Sequence, residues 1–163
     1  MKLSAQEEYG LRCLLRLGGR GDGGSLTIPE ISRAEGISRE YVAKLMRILR
    51  RGGLVTSERG AAGGYTLSRP ADQITVGEAL LPLGGRLFEP DFCERHSGVE
   101  SLCTHSIDCS LRSLWRALQT AVDQVLTRTT LKDLLCSEPE MVSLMNDLAK
   151  ASGESPKYPA SLL

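Results

Sequence analysis

Between Thr27 and Arg51 two short amphipathic segments meet at a glycine, and this constrains the chain more than any other feature. Thr27 and Glu30 stand at capping-box spacing, with Pro29 in the first turn, where a missing N–H costs little. That helix ends near Gly36, which suits a tight turn. Ser38 then caps another helix, in which Val42, Leu45, Met46 and Leu49 recur at the spacing of a single buried face. Gly52-Gly53 closes it. Leu54-Val55-Thr56-Ser57 and Tyr65-Thr66-Leu67 flank a small-residue turn and predict a hairpin. The pattern over residues 26–68 is a helix-turn-helix followed by a wing.

The rest of the chain supports this unit. Tyr9, Leu11, Cys13, Leu14, Leu15 and Leu17 mark a first helix that stops at Gly18-Gly19. The loop from Gly18 to Ser25 is glycine-rich but lacks the Lys-Ser/Thr ending of a phosphate loop, so it is a connector. A fourth helix is expected from Val76 to Leu81, after Thr75, with Pro82 and Gly84-Gly85 as its stop. Residues 86–108 show no periodicity. Leu111, Trp115, Leu118, Val122 and Val125 then form a heptad seam, widened by Leu114, Ala121 and Leu126. A single long apolar helix in a small protein buries its seam against a twin. Residues 137–148 predict one short further helix, and residues 151–163 a frayed tail.

The expected fold is therefore mostly α with a small β-hairpin wing: a winged helix-turn-helix plus a long dimerisation helix. Residues 1–85 form the DNA-binding part, 86–109 a cysteine loop, 110–136 the dimerisation region and 137–163 a partly disordered extension.

Twenty basic and twenty acidic residues cancel over the chain, so net charge does not identify a partner. Their distribution does. Residues 31–60 carry Arg33, Arg39, Lys44, Arg47, Arg50, Arg51 and Arg59 against Glu35, Glu40 and Glu58. A local basic patch on a neutral protein suits phosphate contact at one face. No signal-like apolar run opens the sequence and no stretch reaches the roughly 20 apolar residues of a membrane span. A cytosolic protein without membrane contact is expected, and there five cysteines favour metal or redox chemistry over structural disulfides. No Ser/His/Asp set or phosphate loop points to an enzyme.

A recognition helix needs a polar N-terminal end free to enter the major groove. Ser38, Arg39 and Tyr41 occupy that first turn. Arg39 is the favoured base-reading residue, since arginine pairs bidentately with guanine. Lys44, Arg47 and Arg51 lie away from the buried face, placed for backbone contact. Arg59 and Gly60 form the wing tip, where an arginine suits a narrow minor groove.

The run Ile37-Ser38-Arg39-Glu40-Tyr41-Val42, the segment from Gly53 to Gly60, and Gly63-Gly64-Tyr65 resemble the IscR/NsrR-type winged-helix regulators of bacteria. The resemblance runs from Met1 to about Leu134, and Arg-Gly-x-x-Gly-Gly-Tyr in the wing is its most specific part. It implies a homodimer joined through the long helix and paired recognition helices on a palindromic operator, about 34 Å apart. It also implies that many members carry an iron–sulfur cluster.

Cys93, Cys103 and Cys109 are separated by nine and then five residues. Three thiolates this close can converge on one cluster, because soft sulfur suits iron. Cys109 stands at the start of the long helix, where the dipole favours its anion. The spacing is unlike the paired cysteines of a zinc ribbon. Cluster-binding members of the resembled family also have three cysteines here, but this chain has a longer first interval. Where IscR-like members place a histidine ligand, this chain has Arg112. NsrR-like members use an acidic ligand from the partner's first helix, and Glu8 occupies that position. Glu8 ranks first as fourth ligand and His105 second, with His96 a further rival in the loop. Cys13 is expected to be a buried hydrophobe and Cys136 not a ligand.

The expected function is transcription regulation, with operator affinity controlled by a [2Fe–2S] or [4Fe–4S] cluster sensing redox state, nitric oxide or iron–sulfur supply. Two alternatives stay open: a cluster-free regulator controlled by its thiols or a protein partner, and a zinc-stabilised DNA-binding protein.

Overall fold

A computed structural model describes residues 3–21, 23–58, 63–86, 88–89, 91–97, 103, 105 and 107–151. Helix α1 (Ala5–Gly18) is followed by α2 (Ile28–Glu35) and α3 (Arg39–Arg51). Strands β1 (Val55–Glu58) and β2 (Gly64–Leu67) form an antiparallel hairpin in which Val55 faces Leu67 and Ser57 faces Tyr65. Helices α4 (Val76–Gly84), α5 (Phe92–Arg95), α6 (Ser110–Leu126) and α7 (Glu138–Ala151) complete the chain.

Capping chemistry sets where the helices begin. Ser4, Thr27 and Thr75 each close a reciprocal capping box with a glutamate three residues on, which satisfies otherwise orphaned N–H groups. Ser38 caps α3 by accepting from the Tyr41 N–H at 3.2 Å. At the end of α2, Gly36 has φ of +67°, the left-handed region in which a side chain is strained. This residue makes the turn between α2 and α3 tight.

The core is aliphatic. Cys13, Leu14 and Leu17 from α1 pack with Ile31 from α2 and with Val42, Leu45, Met46 and Leu49 from α3. Leu54 and Val55 close it on the hairpin side, and Ala79 and Leu83 on the α4 side. Burying each Leu contributes about 1.5–3 kcal/mol. Gly10 permits α1 and α4 to touch: a Cβ there would stand 2.5 Å from both Leu83 methyls. Leu26 adds a short third edge to the hairpin by exchanging two backbone hydrogen bonds with Tyr65, at 3.0 and 2.8 Å.

Three features depart from the sequence expectation. Helix α4 does not stop before Pro82 but runs through it to Gly84. The added turn buries Leu83 against Gly10, and the Gly85 N–H closes it on Leu81. A four-residue helix, α5, lies within the segment that has no periodicity. Beyond α6 the chain returns to the winged helix: Leu131 is wholly buried in its core and its N–H donates to the Ile74 carbonyl at 2.9 Å. The short helix expected from 137 to 148 is α7, which runs three residues further, to Ala151.

Candidate nucleic-acid interface and cysteine loop

Helix α3 separates its faces sharply. Val42, Leu45, Met46 and Leu49 are fully buried, while Arg39, Lys44, Arg47 and Arg51 are exposed. Ser38 spends its hydroxyl on the helix cap, so its part at the interface begins with fixing the orientation of the first turn. Tyr41 is half-buried and packs edge-on against Tyr9 of α1, with ring centroids 6.0 Å apart. Lys44 Nζ lies 5.7 Å from the Tyr41 ring centroid, which orients one cation along the helix. Arg47 Nε donates back to the Ala43 carbonyl at 3.3 Å. Arg50, absent from the predicted contacts, reaches the hairpin and donates to Ser57 Oγ at 3.2 Å. Arg59 and Gly60 lie outside the described residues.

Sequence reasoning missed a clamp behind the recognition helix. Glu35, at the end of α2, is buried, with its side chain only 4% exposed. It accepts from Arg12 Nε at 2.6 Å and from Arg16 Nε, and Arg12 also donates to the Glu35 carbonyl at 3.2 Å. Burial opposes the Glu35 charge, but the hydrogen bonds from Arg16 and Arg12 outweigh it and hold the carboxyl below its ordinary range. The clamp ties α1 to the residue just before the Gly36 turn. Its only sequence trace is the helical spacing of Arg12 and Arg16, whose partner becomes evident only once α2 is placed against α1.

The cysteines fall into three environments. Cys13 is fully buried, and desolvation pushes its thiol up to about 12, so it is an inert hydrophobe as expected. Cys136 is exposed. Cys93 on α5, Cys103 in the loop and Cys109 at the cap of α6 are half-buried. Cys109 Sγ accepts from the Arg112 N–H at 3.4 Å, so the thiol stands at the helix N-terminus. His96 stacks on Phe92 with centroids 4.1 Å apart, and its Nδ1 lies 2.8 Å from the Phe92 carbonyl oxygen. With Nδ1–H donating there, Nε2 is left as the ligating nitrogen. Glu8 and His105 are exposed. In kind and number these donors fit an iron–sulfur group. In position, among the described residues, no three His, Cys, Asp or Glu side chains are gathered to hold a metal ion.

The exposed face of α6 is apolar. Leu111, Leu114, Trp115, Leu118 and Val125 all reach solvent, Leu111 at 58%. Gln119 is the buried residue of this helix, accepting from the Phe88 N–H at 2.7 Å and thereby tying α6 to the segment after α4. Arg86 pairs with Asp123 at the same junction.

Capped helices, the Gly36 turn, the basic α3 and the hairpin define a DNA-binding winged helix-turn-helix. Residues 3–137 match the Rrf2 family, described as "Iron-dependent Transcriptional regulator", and the chain belongs to that family. It is 34% identical to Protein rrf2 of Nitratidesulfovibrio vulgaris over 135 residues, 83% of this chain and 87% of the relative. The structure of CymR, the global cysteine regulator of Bacillus subtilis, superimposes with a TM-score of 0.66 at 34% identity, covering 83% of this chain and 96% of that one. The structure of T. potens IscR gives 0.64 at 30% identity, covering 83% and 86%. The protein is a transcription regulator and not an enzyme. Among the described residues no helix is long and apolar enough to cross a membrane.

Proposed function

We propose that this chain is a cytosolic, homodimeric regulator that grips a palindromic operator under control of its cysteine loop, with an iron–sulfur cluster as the sensing group. The observation that carries the reading is the placement of Cys109: it caps the same helix whose exposed apolar stripe would pair two copies. Whatever orders the thiols therefore acts at the end of the dimer seam.

Cys93, Cys103 and Cys109 would hold the group, with Glu8 first among the fourth donors and His105 or His96 as the others. A bound cluster supplies an iron–thiolate cage that responds to redox state, nitric oxide or iron–sulfur supply. Ligation requires loop 86–109 to close, since the donors are not gathered among the described residues. Closure would draw α5 toward the α6 cap. Tyr9, next to Glu8, meets Tyr41 of α3, so a shift of α1 is felt at the recognition helix. In a dimer the separation of the two α3 helices must match one duplex turn, about 34 Å. Ser38, Arg39, Tyr41, Lys44, Arg47 and Arg51 face the duplex, with Arg59 and Gly60 on the wing. A coupling of about 1–3 kcal/mol between loop and operator gives a roughly 5–150-fold change in affinity.

A cluster-free reading also has support. The donors are not assembled among the described residues, and CymR, a cysteine regulator, is as similar as IscR. In that case the same three thiols respond directly.

Selection of bound sequences from random duplexes tests the DNA reading. A two-fold symmetric site is expected, and Arg39→Ala should weaken it about 10–100-fold with relaxed preference at one base pair per half-site. Recovery of no preferred sequence, or an unchanged Arg39→Ala protein, would exclude this assignment of the recognition helix.

A further inference from the structure

A cavity of about 670 Å³ opens between α1, α2 and the turn that follows Thr130, away from both α3 and the cysteine loop. One side is cationic. Arg12 and Arg16, one turn apart on α1, and Arg20 in the turn just after it all line the cavity. The other side is apolar, formed by Leu15, Leu26, Leu134 and Leu135. Leu135 is 41% exposed there, an apolar wall left facing the opening.

The charges inside do not balance. Glu35 and Glu30 are the carboxylates that line the cavity, against three guanidinium groups. Glu35 is shared by Arg12 and Arg16 through their Nε atoms. Glu30 is drawn to the start of α2, where one oxygen accepts from the Thr27 N–H at 2.8 Å and the Thr27 hydroxyl at 2.7 Å. Arg20 makes no ion pair or hydrogen bond through its side chain among the described residues. The lining thus carries one more guanidinium than carboxylate, with the Glu30 charge reaching Arg20 only at longer range, and Glu35 engages Arg16 through its Nε.

We propose that this cavity binds a small organic monoacid, its carboxylate held by Arg16 and Arg20 and its apolar body lying on Leu15, Leu26, Leu134 and Leu135. A planar carboxylate matches the fork of a guanidinium. A monoanion cancels the surplus charge. Inorganic phosphate would overcompensate it at neutral pH and leave the leucine wall wet. The volume falls in the range of small-ligand sites, roughly 300–1,000 Å³. A charged wall facing an apolar one is what an amphipathic acid requires.

The site is joined to the DNA-reading unit through one residue. Arg16 and Arg12 share Glu35, and Arg12 also holds the Glu35 carbonyl beside Gly36. An acid that engages Arg16 competes with Glu35 for it and loosens the clamp behind the turn. Only this consequence rests on the regulator reading above; the binding itself does not.

The test is isothermal titration of the full chain with hexanoate and benzoate, with hexanamide and inorganic phosphate as controls. Saturable binding of at least one acid is expected, one molecule per chain, with none for hexanamide or phosphate. Arg20→Gln should weaken it about 10–100-fold, the loss of one charge-assisted contact. Arg20 has no structural partner among the described residues, so this variant keeps the fold, as circular dichroism will verify. Leu135→Asp should also weaken binding by repelling the acid and removing apolar contact. Absence of saturable binding of both acids at about 1 mM, equal binding of hexanamide, or unchanged affinity in Arg20→Gln would each overturn the proposal. The heats read neither DNA nor iron, so failure here and failure of the regulator reading are separate results.

Discussion

The winged helix and α6 use similar residues in opposite ways. In the winged helix, leucines from α1, α3 and α4 meet inside one chain, and Leu14, Leu45 and Leu49 are fully buried. Along α6, Leu111, Leu114, Leu118 and Val125 stand in solvent at the same helical period. Each helix is amphipathic, so sequence pattern alone does not separate them. What separates them is whether the chain supplies the covering surface. The DNA-reading unit completes its own core, whereas the helix behind the cysteine loop leaves an apolar stripe exposed, the face proposed above to meet a second copy. Stability is thus concentrated in the reader, and sensitivity to assembly in the arm.

Substitutions in the two regions should break this contrast if it is wrong. The largest effect is expected from Leu45→Ala, which opens a void where α3 meets α1. Chemical denaturation should show a loss of about 2–5 kcal/mol. A smaller effect, about 1–3 kcal/mol, is expected from Glu35→Gln, since its arginine partners are half-exposed and can be rehydrated. This difference depends on pH. Because the carboxyl is held below its ordinary value, its contribution is full above that ordinary value and is lost as pH falls through the lower native one. The unfolding curves of the two proteins should stay apart at neutrality and converge only in acid below the depressed native value. A constant offset down to low pH would mean that the clamp is not ionic.

The smallest effect on the fold of one chain should come from Leu118→Asp on α6. At dilutions where the parent is monomeric, unfolding free energy should change within about 0.5 kcal/mol. Sedimentation should nonetheless show the dimer lost at concentrations where the parent self-associates. If Leu118→Asp destabilised the monomer as much as Leu45→Ala, the stripe would belong to an internal core and the contrast would fail.

The parts legible in the sequence are those written in local code. Thr27 with Glu30, Gly36, and Ser38 ahead of a single-faced helix specify their turn with no knowledge of the remaining chain. The return of residues 129–131 onto Ile74 was not legible, because it depends on backbone pairing across some fifty residues of chain and leaves no periodic mark. Pro82 misled for a related reason: a local stop signal was overridden by the burial of Leu83. Glu35 counted in sequence as one more charge opposing the basic patch, and only the packing of α2 on α1 places it between two arginines. For the cysteines, residue type was informative and position was not. Three soft donors ahead of a long helix identify a chemistry, but their convergence depends on how loop 86–109 folds.

That convergence is measured most directly by an anaerobic purification followed by an absorption spectrum with iron and sulfide counts. A visible band is expected, with iron and acid-labile sulfide in matched amounts, both lost in Cys103→Ser. A colourless protein that holds neither, even after reconstitution with iron and sulfide, would contradict it and leave a winged-helix regulator whose thiols or partners carry the signal.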